Sequence, residues 1–375
     1  MRILVDYRPA LRARTGVGEY MHEIIRAYTA AHDDEVAAFT SSWRDRPAPG
    51  TAERLGARVI DRRVPVRALN FLWHRLEWPP IEALAGRVDV VHAAHPLIIP
   101  SRHAARVVTV HDLYYLDHPE RTSAEIRRDY PALVRAHTAR AALVVVNSED
   151  TATAVEGSLN VPRHRIVVCR PGIPAWIGAP VERRPPKDGY VLFVGTLEPR
   201  KNLGTLLDAW IDLSSRGAPL PRLRIAGGVR PGGEGWVERM RSAPLSSHVD
   251  YVGYVAGPDR RALYEGARLL VLPSFHEGFG LPVLEAMSLG VPVVTSDRGA
   301  LPEVVGDAGL TVDAEDRRAL GDAIHAVLTD GNRAAGMSAR GLAQAARFSW
   351  NAAARSLYDA YTGLMARTGR DAHRR

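Results

Sequence analysis

Short runs of β-branched and aliphatic residues recur through the first half of the chain: Arg2 to Asp6, Val36 to Phe39, Val88 to His92, Arg106 to His111, Leu143 to Asn147 and Arg165 to Cys169. Stretches of helical period separate them. Near-continuous apolar strands alternating with helices predict a parallel sheet covered on both faces, because the crossover helices bury each side of it. The pattern then breaks. Pro171-Gly-Ile-Pro174 and the proline-rich stretch from Ala179 to Gly189 suit neither element and read as a linker. Alternation restarts at Tyr190 to Val194 and repeats at Arg222 to Ala226, Val249 to Val252, Leu269 to Leu272, Pro292 to Thr295 and Gly309 to Val312, with helices beginning near Leu203, Gly235, Pro258, Gly280, Leu301 and Asp316.

The expected α/β organisation is therefore two doubly wound, Rossmann-like domains, residues 1–172 and 190–349, joined by a linker over 173–189. A final amphipathic helix, about 350–367, carries Ala352, Leu357, Tyr358, Tyr361 and Leu364 and has no strand after it, so it is free to pack back on the first domain. The polar end, Thr368 to Arg375, is expected to fray.

With 375 residues, 46% apolar and 24% charged, the chain holds enough apolar material for two cores and is neither disordered nor fibrous. It has no run of 18 apolar residues and enters a strand pattern at Ile3 without a signal-peptide segment, which predicts a cytoplasmic protein. A single cysteine, Cys169, cannot form an internal disulfide or a cysteine-based zinc site. The net charge of +7 divides into +4 over residues 1–170 and +3 over 171–375, so no basic tail or stripe stands out. A nucleic-acid-binding role is suggested only by the pI near 9.7, and the even split argues against it. Only Lys187 and Lys201 among the 49 basic residues are lysine, which draws notice to Lys201.

The densest chemistry lies in Pro273-Ser-Phe-His-Glu277-Gly-Phe-Gly280-Leu-Pro-Val-Leu-Glu285. A strand ends, Gly278 and Gly280 permit a tight turn, and a helix begins near Leu281; unsatisfied amides at such a terminus suit phosphate or sugar oxygens. Glu277 in the loop and Glu285 one turn into the helix cannot bind that anion themselves, so they read as acceptors for hydroxyl donors on a sugar or ribose. A capped surface turn with two solvated glutamates is the plainer alternative.

Gly195-Thr-Leu-Glu-Pro-Arg200-Lys201 leaves the first strand of the second domain, where open α/β sheets bind ligands; Lys201 would place a compact charge and Arg200 a bidentate fork on a diphosphate. A solvated basic turn is the alternative there. Thr15-Gly16-Val-Gly18 opens a helix after the first strand but lacks the third glycine and downstream acid of a dinucleotide fingerprint, leaving a backbone clamp on a phosphate or acceptor group. His111-Asp112 ends another strand and can equally be structural. No Asp-x-Asp occurs, so no such carboxylate pair is available to hold a metal on a diphosphate, and neither cofactor nor metal is expected.

These motifs together resemble glycosyltransferase family 4, retaining enzymes of the GT-B fold: Glu277-x7-Glu285 within Glu-Gly-Phe-Gly-Leu-Pro-x-Leu-Glu-Ala-Met, Gly195-Thr-Leu-Glu-Pro-Arg-Lys-Asn202, Gly253-Tyr-Val255 and Leu301-Pro-Glu-Val-Val-Gly306. Thr15-Gly-Val-Gly-Glu-Tyr20, Val110-His-Asp-Leu113, His118-Pro-Glu120 and Asn147-Ser-Glu149 are similar to the bacterial mannosyl- and rhamnosyltransferases of surface-polysaccharide synthesis. The resemblance implies a central cleft, Arg200 and Lys201 on the donor diphosphate, Glu285 on the ribose and Glu277 on the donor sugar. It also implies that the amides of Gly278, Phe279, Gly280 and Leu281 meet sugar or phosphate, that Gly253, Tyr254 and Val255 lie under the nucleobase, and that His111 reaches the sugar from the other domain. Some relatives carry an arginine where Thr196 stands, so the diphosphate would depend more on Arg200 and Lys201.

The expected activity is transfer of a hexose with retention from a nucleotide diphosphate sugar, GDP-mannose first and a UDP- or dTDP-sugar second, to a glycan or lipid-linked hydroxyl. A non-hydrolysing nucleotide-sugar epimerase would share the architecture but lacks this Glu-x7-Glu loop. Arg62 to Trp78 mixes arginines with Phe71, Trp73 and Trp78, as a membrane-surface element would, and can equally be a surface helix with its aromatics inward. Contact with the inner face of a membrane is thus a further expectation.

Overall fold

The structure, a computed structural model, describes residues 1–11, 16–119, 124–178, 183, 186–217, 220–230, 232–255 and 258–372. The chain divides into two compact units, Met1–Gly172 with Ser349–Arg375, and Ile173–Phe348.

In the first unit, strands β1 (Arg2–Asp6), β2 (Glu35–Ser41), β3 (Arg58–Arg62), β4 (Val90–Ala93), β5 (Ala105–Val110), β6 (Leu143–Val146) and β7 (Ile166–Val168) form a parallel sheet in the order β3-β2-β1-β4-β5-β6-β7. One cluster of apolar side chains packs on each face. β3 is absent from the sequence reading for a physical reason: it is an edge strand begun and ended by exposed arginines, with only Ile60 buried, so its apolar signal is weak.

The final helix, Trp350–Ala372, belongs to this unit and packs on the helix Gly16–Ala31, with the rings of Tyr28 and Tyr361 5.9 Å apart and those of Tyr20 and Trp350 5.6 Å apart. It continues five residues beyond the expected end at 367, so Thr368–Ala372 is helical rather than frayed.

In the second unit, β8 (Tyr190–Val194), β9 (Leu223–Ala226), β10 (Val249–Gly253), β11 (Ala267–Leu272), β12 (Val293–Ser296) and β13 (Leu310–Val312) form a parallel sheet in the order β10-β9-β8-β11-β12-β13. The helix Gly331–Ala345, which the sequence reading left unassigned because Gly331, Gly336 and Gly341 lower its propensity, packs Gly341 against Met287. Part of the expected linker, residues 179–182 and 184–185, lies outside the described residues. Its first residues join the second unit, where Trp176 stacks on Tyr264 at 6.2 Å. Among the described residues no helix is long and apolar enough to cross a membrane.

Candidate functional site

The strand order of the second sheet reverses between β8 and β11, so the loops leaving these two neighbours diverge and open a crevice at their carboxyl ends. That topology brings together residues more than seventy positions apart. The loop after β8 holds Arg200 and Lys201; the loop after β11 holds Ser274 and Glu277. The Phe275 amide donates to the Arg200 carbonyl at 2.9 Å, and the Asn202 side-chain amide donates to the Pro273 and Ala314 carbonyls at 2.9 and 2.7 Å. Asn202 holds these bonds with φ 55°, a left-handed conformation asparagine tolerates better than most residues.

Glu277 sits where the two loops meet. Its Oε1 accepts from Lys201 Nζ at 2.6 Å and from Ser274 Oγ at 2.6 Å, and its Oε2 accepts from Arg200 Nη1 at 3.2 Å. Arg200 also reaches the His276 carbonyl at 2.8 Å and Glu198 at 2.8 Å. Both Glu277 and Lys201 are buried. Burial alone would push the Glu277 carboxyl up, but the charges of Lys201 and Arg200 outweigh it and hold it at about 2. The carboxylate is therefore ionised, and it fixes both cations in place before any ligand binds. Gly299 supports it from the next strand's loop: at φ +60°, a Cβ there would lie 2.5 Å from the Glu277 carbonyl oxygen, which accepts from the Ala300 amide at 2.9 Å.

Glu285, fully buried in the helix Leu281–Ser288, is held by a different pair. Arg260 forms an ion pair with its Oε1, and the Tyr264 hydroxyl donates to its Oε2 at 2.5 Å. Arg260 and Tyr264 stand one turn apart in the helix Pro258–Glu265, and the Arg260 guanidinium lies 5.0 Å over the Trp176 ring. Burial, joined by the Glu285 charge, drives the Tyr264 hydroxyl well above its ordinary value, so it remains a donor. Sequence reasoning missed Ser274, Arg260, Tyr264 and Trp176. The only advance signal was the i, i+4 spacing of Arg260 and Tyr264.

The glycine turn is narrower than a bare helix terminus. Pro282 has no N–H, and the Val283 and Leu284 amides donate to the Gly280 carbonyl, so any backbone contact of this turn with a ligand falls N-terminal to them, in the stretch Gly278 to Leu281. The Phe279 ring packs inward against Phe348 at 5.5 Å, leaving only its backbone for such a role. Gly195 lies against the Lys201 side chain. Tyr254 is exposed just beyond β10, near exposed Val252, whereas Val255 packs partly on the core.

The remaining predicted residues belong to the first unit. Gly16 and Gly18 open the helix Gly16–Ala31, and a Cβ on Gly18 would lie 2.7 Å from the Pro9 carbonyl oxygen, so close packing there needs glycine. Thr15 and Glu120 lie outside the described residues. His111 follows β5; burial lowers it to about 4, so it is neutral at pH 7, and its Nε2 donates to the Ala94 carbonyl at 3.2 Å, leaving Nδ1 with a lone pair. At this sheet's own reversal point, between β1 and β4, a cluster the sequence reading did not find joins buried Asp6 to Arg8 at 2.8 Å and to His95 at 3.6 Å, with Arg8 stacked 4.9 Å over Trp73.

Two family descriptions match: Glycosyltransferase Family 4 over residues 14–175 and Glycosyl transferases group 1 over residues 188–330. The chain is 31% identical to O-antigen chain mannosyltransferase B of Escherichia coli, covering 96% of this chain and 99% of that protein. Among solved structures it is similar to sucrose-phosphate synthase from Thermosynechococcus elongatus, with TM-score 0.78, 22% identity and coverage of 98% and 99% of the two chains. It is likewise similar to Anabaena HepE in complex with UDP and glucose, with TM-score 0.72, 20% identity and coverage of 97% and 100%. The paired parallel sheets match the GT-B architecture of these structures, and the chain belongs to glycosyltransferase family 4, the retaining glycosyltransferases of that fold.

Proposed function

We propose that this glycosyltransferase moves mannose from GDP-mannose to a hydroxyl of a glycan or lipid-linked glycan, in the cytoplasm at the inner face of a membrane. The observation that carries the chemistry is the convergence of Arg200, Lys201 and Glu277 on the carboxyl ends of β8 and β11. The choice of mannose rests on the similarity to the E. coli mannosyltransferase along nearly the whole of both chains.

In this reading Arg200 and Lys201 bind the donor diphosphate, and the amides of Gly278 to Leu281 add their dipoles. As the bond between the anomeric carbon and the β-phosphate oxygen breaks, the growing negative charge falls on groups already oriented, which need no reorganisation during the step. The acceptor oxygen bonds to the anomeric carbon on the face the phosphate leaves, and its proton passes to the departing phosphate. Glu277 accepts from the transferred sugar while holding Lys201, and Glu285, whose oxygens Arg260 and Tyr264 cover in this structure, accepts from the ribose once one of these two groups yields. His111, neutral with a free Nδ1 lone pair, accepts from a sugar hydroxyl. Gly195 lets Lys201 lie close to the end of β8. The backbone at Tyr254 and Val255 reads the nucleobase, and Gly16 and Gly18 admit the donor or acceptor close to the helix they open.

No metal is required, because side chains supply the positive charge. Activity should therefore survive excess EDTA; complete loss restored only by Mg²⁺ or Mn²⁺ would overturn that part of the proposal. The decisive experiment is a thermal-shift panel of GDP, UDP, dTDP and ADP with their sugars, followed by a transfer assay with the best donor. GDP and GDP-mannose should raise the melting temperature most. A larger shift with UDP or dTDP would change the donor.

A further inference from the structure

We infer that one edge of the first unit is a docking surface for an anionic lipid bilayer, built from Trp43, Phe71, Leu76 and Trp78 together with Arg44, Arg63 and Arg67. This deepens the reading of a lipid-linked acceptor and rests on it for the reason that such a surface exists.

The large exposed hydrophobic residues described in the first unit all fall between positions 43 and 78: Trp43, Val66, Phe71, Leu76 and Trp78, at 71%, 37%, 61%, 60% and 61% exposure. Two separate stretches contribute, and the sheet register sets the first beside the start of the second. Ser41 in β2 pairs with Arg62 in β3, the Ser42 amide donates to the Arg62 carbonyl at 3.2 Å, and Ser41 Oγ donates to the Val64 carbonyl at 2.8 Å. Trp43-Arg44 and Arg63 to Val66 thus leave the sheet side by side.

Trp73 decides which aromatics face out. It is fully buried, its ring 5.6 Å from Phe39 and its Nε1 donating to the Pro79 carbonyl at 3.0 Å. Residues two apart in a helix point about 200° from each other, so an inward Trp73 turns Phe71 outward. Of the two alternatives for this segment, a membrane-surface element or a helix with its aromatics inward, each holds for part of it: Trp73 is core, and Phe71 and Trp78 are surface.

Charge selects the partner. Residues 43–78 hold eight arginines against four acidic residues. Of those acids, Asp61 is paired with Arg46 and Glu77 with Arg140. Arg44, Arg63 and Arg67 are exposed, and among the described residues no ion pair engages them. A second copy of this chain, docking face to face, would set these cations against their own counterparts. Anionic headgroups instead meet the arginines while tryptophan and phenylalanine rings enter the interface.

The test is cosedimentation of the full chain with vesicles of phosphatidylcholine alone and of phosphatidylcholine mixed with phosphatidylglycerol, at low and high salt. Binding should require the anionic lipid and fall with salt. Arg63→Glu with Arg67→Glu, and separately Phe71→Ser with Trp78→Ser, should each weaken it by about tenfold or more without changing the melting temperature or the shift caused by nucleotide diphosphates. No binding, equal binding to neutral vesicles, tighter binding to single-stranded RNA, or a concentration-dependent dimer abolished by Phe71→Ser would overturn the inference. The nucleotide shift separates the two readings: if it persists without vesicle binding, only the docking surface fails; if it is absent in the wild-type chain, the donor proposal fails on its own.

Discussion

Lys201 and Arg200 share the Glu277 carboxylate before any phosphate arrives, so a substitution at either changes both charge and stability. Arg200→Ala and Lys201→Ala should each lower turnover roughly 10²-fold or more if each group gives about 3 kcal/mol to the departing phosphate. Lys201→Ala also leaves the buried Glu277 carboxylate with Arg200 and Ser274 alone, at a cost of roughly 1–3 kcal/mol. The double variant Lys201→Ala with Glu277→Gln should regain thermal stability without regaining turnover. Lys187→Ala should leave the initial rate unchanged. The two glutamates should separate by ligand. Glu285→Gln weakens free nucleotide and donor alike, whereas Glu277→Gln lowers turnover and leaves free-nucleotide affinity nearly intact, because that ligand has no sugar to hold. Calorimetric titration beside turnover checks this, and the opposite pattern would reverse the roles. Glu277 also predicts a pH effect. Its carboxyl is depressed in the folded state, so its contribution is present above the ordinary value near 4.5 and lost as pH falls toward about 2. Melting temperatures should fall more steeply over that window in the wild type than in Glu277→Gln.

At the scale of elements, the site depends on loops whose backbones nearly touch. Gly299→Ala should cost roughly 1–3 kcal/mol and depress turnover, since a methyl at φ +60° is strained and meets the Glu277 backbone. Unfolding in urea together with initial rates tests it; a variant as stable and as active as the wild type would remove this support. The sequence made the two loops legible because Gly278, Gly280, Arg200 and Lys201 stand at strand ends, where ligand-binding residues collect. It left Gly299, Ser274 and Arg260 unmarked because their value lies in what they face. Ser274 matters through a carboxylate three residues on, and Arg260 through one on another helix. The Ser274–Glu277 spacing is local but common in turns that hold no cation, and no local pattern records Arg260 with Glu285.

Across the whole molecule, the last helix returns to the first unit and carries a polar contact spanning most of the chain. The His92 Nδ1 and the Tyr361 hydroxyl are 2.6 Å apart, while Thr109 Oγ1 lies 2.7 Å from His92 Nε2. Burial lowers His92 to about 3, so it is neutral and the tyrosine hydroxyl is a needed partner. Tyr361→Phe should cost about 1–3 kcal/mol, read as a lower midpoint in chemical denaturation; an unchanged midpoint would show that the contact is dispensable. The sequence alone determined that there are two parallel α/β sheets, because strands buried on both faces must be apolar throughout and that signature is local. It also marked the ends of β8 and β11 as the places where Arg200, Lys201 and Glu277 stand. Tertiary structure decided the rest: that Glu277 is shared by two cations, that Glu285 is covered by Arg260 and Tyr264, and that Trp73 points inward while Trp78 points out. Each of these depends on which neighbour a side chain meets across the sheet order, and a one-dimensional pattern contains residue types and spacings but not those meetings.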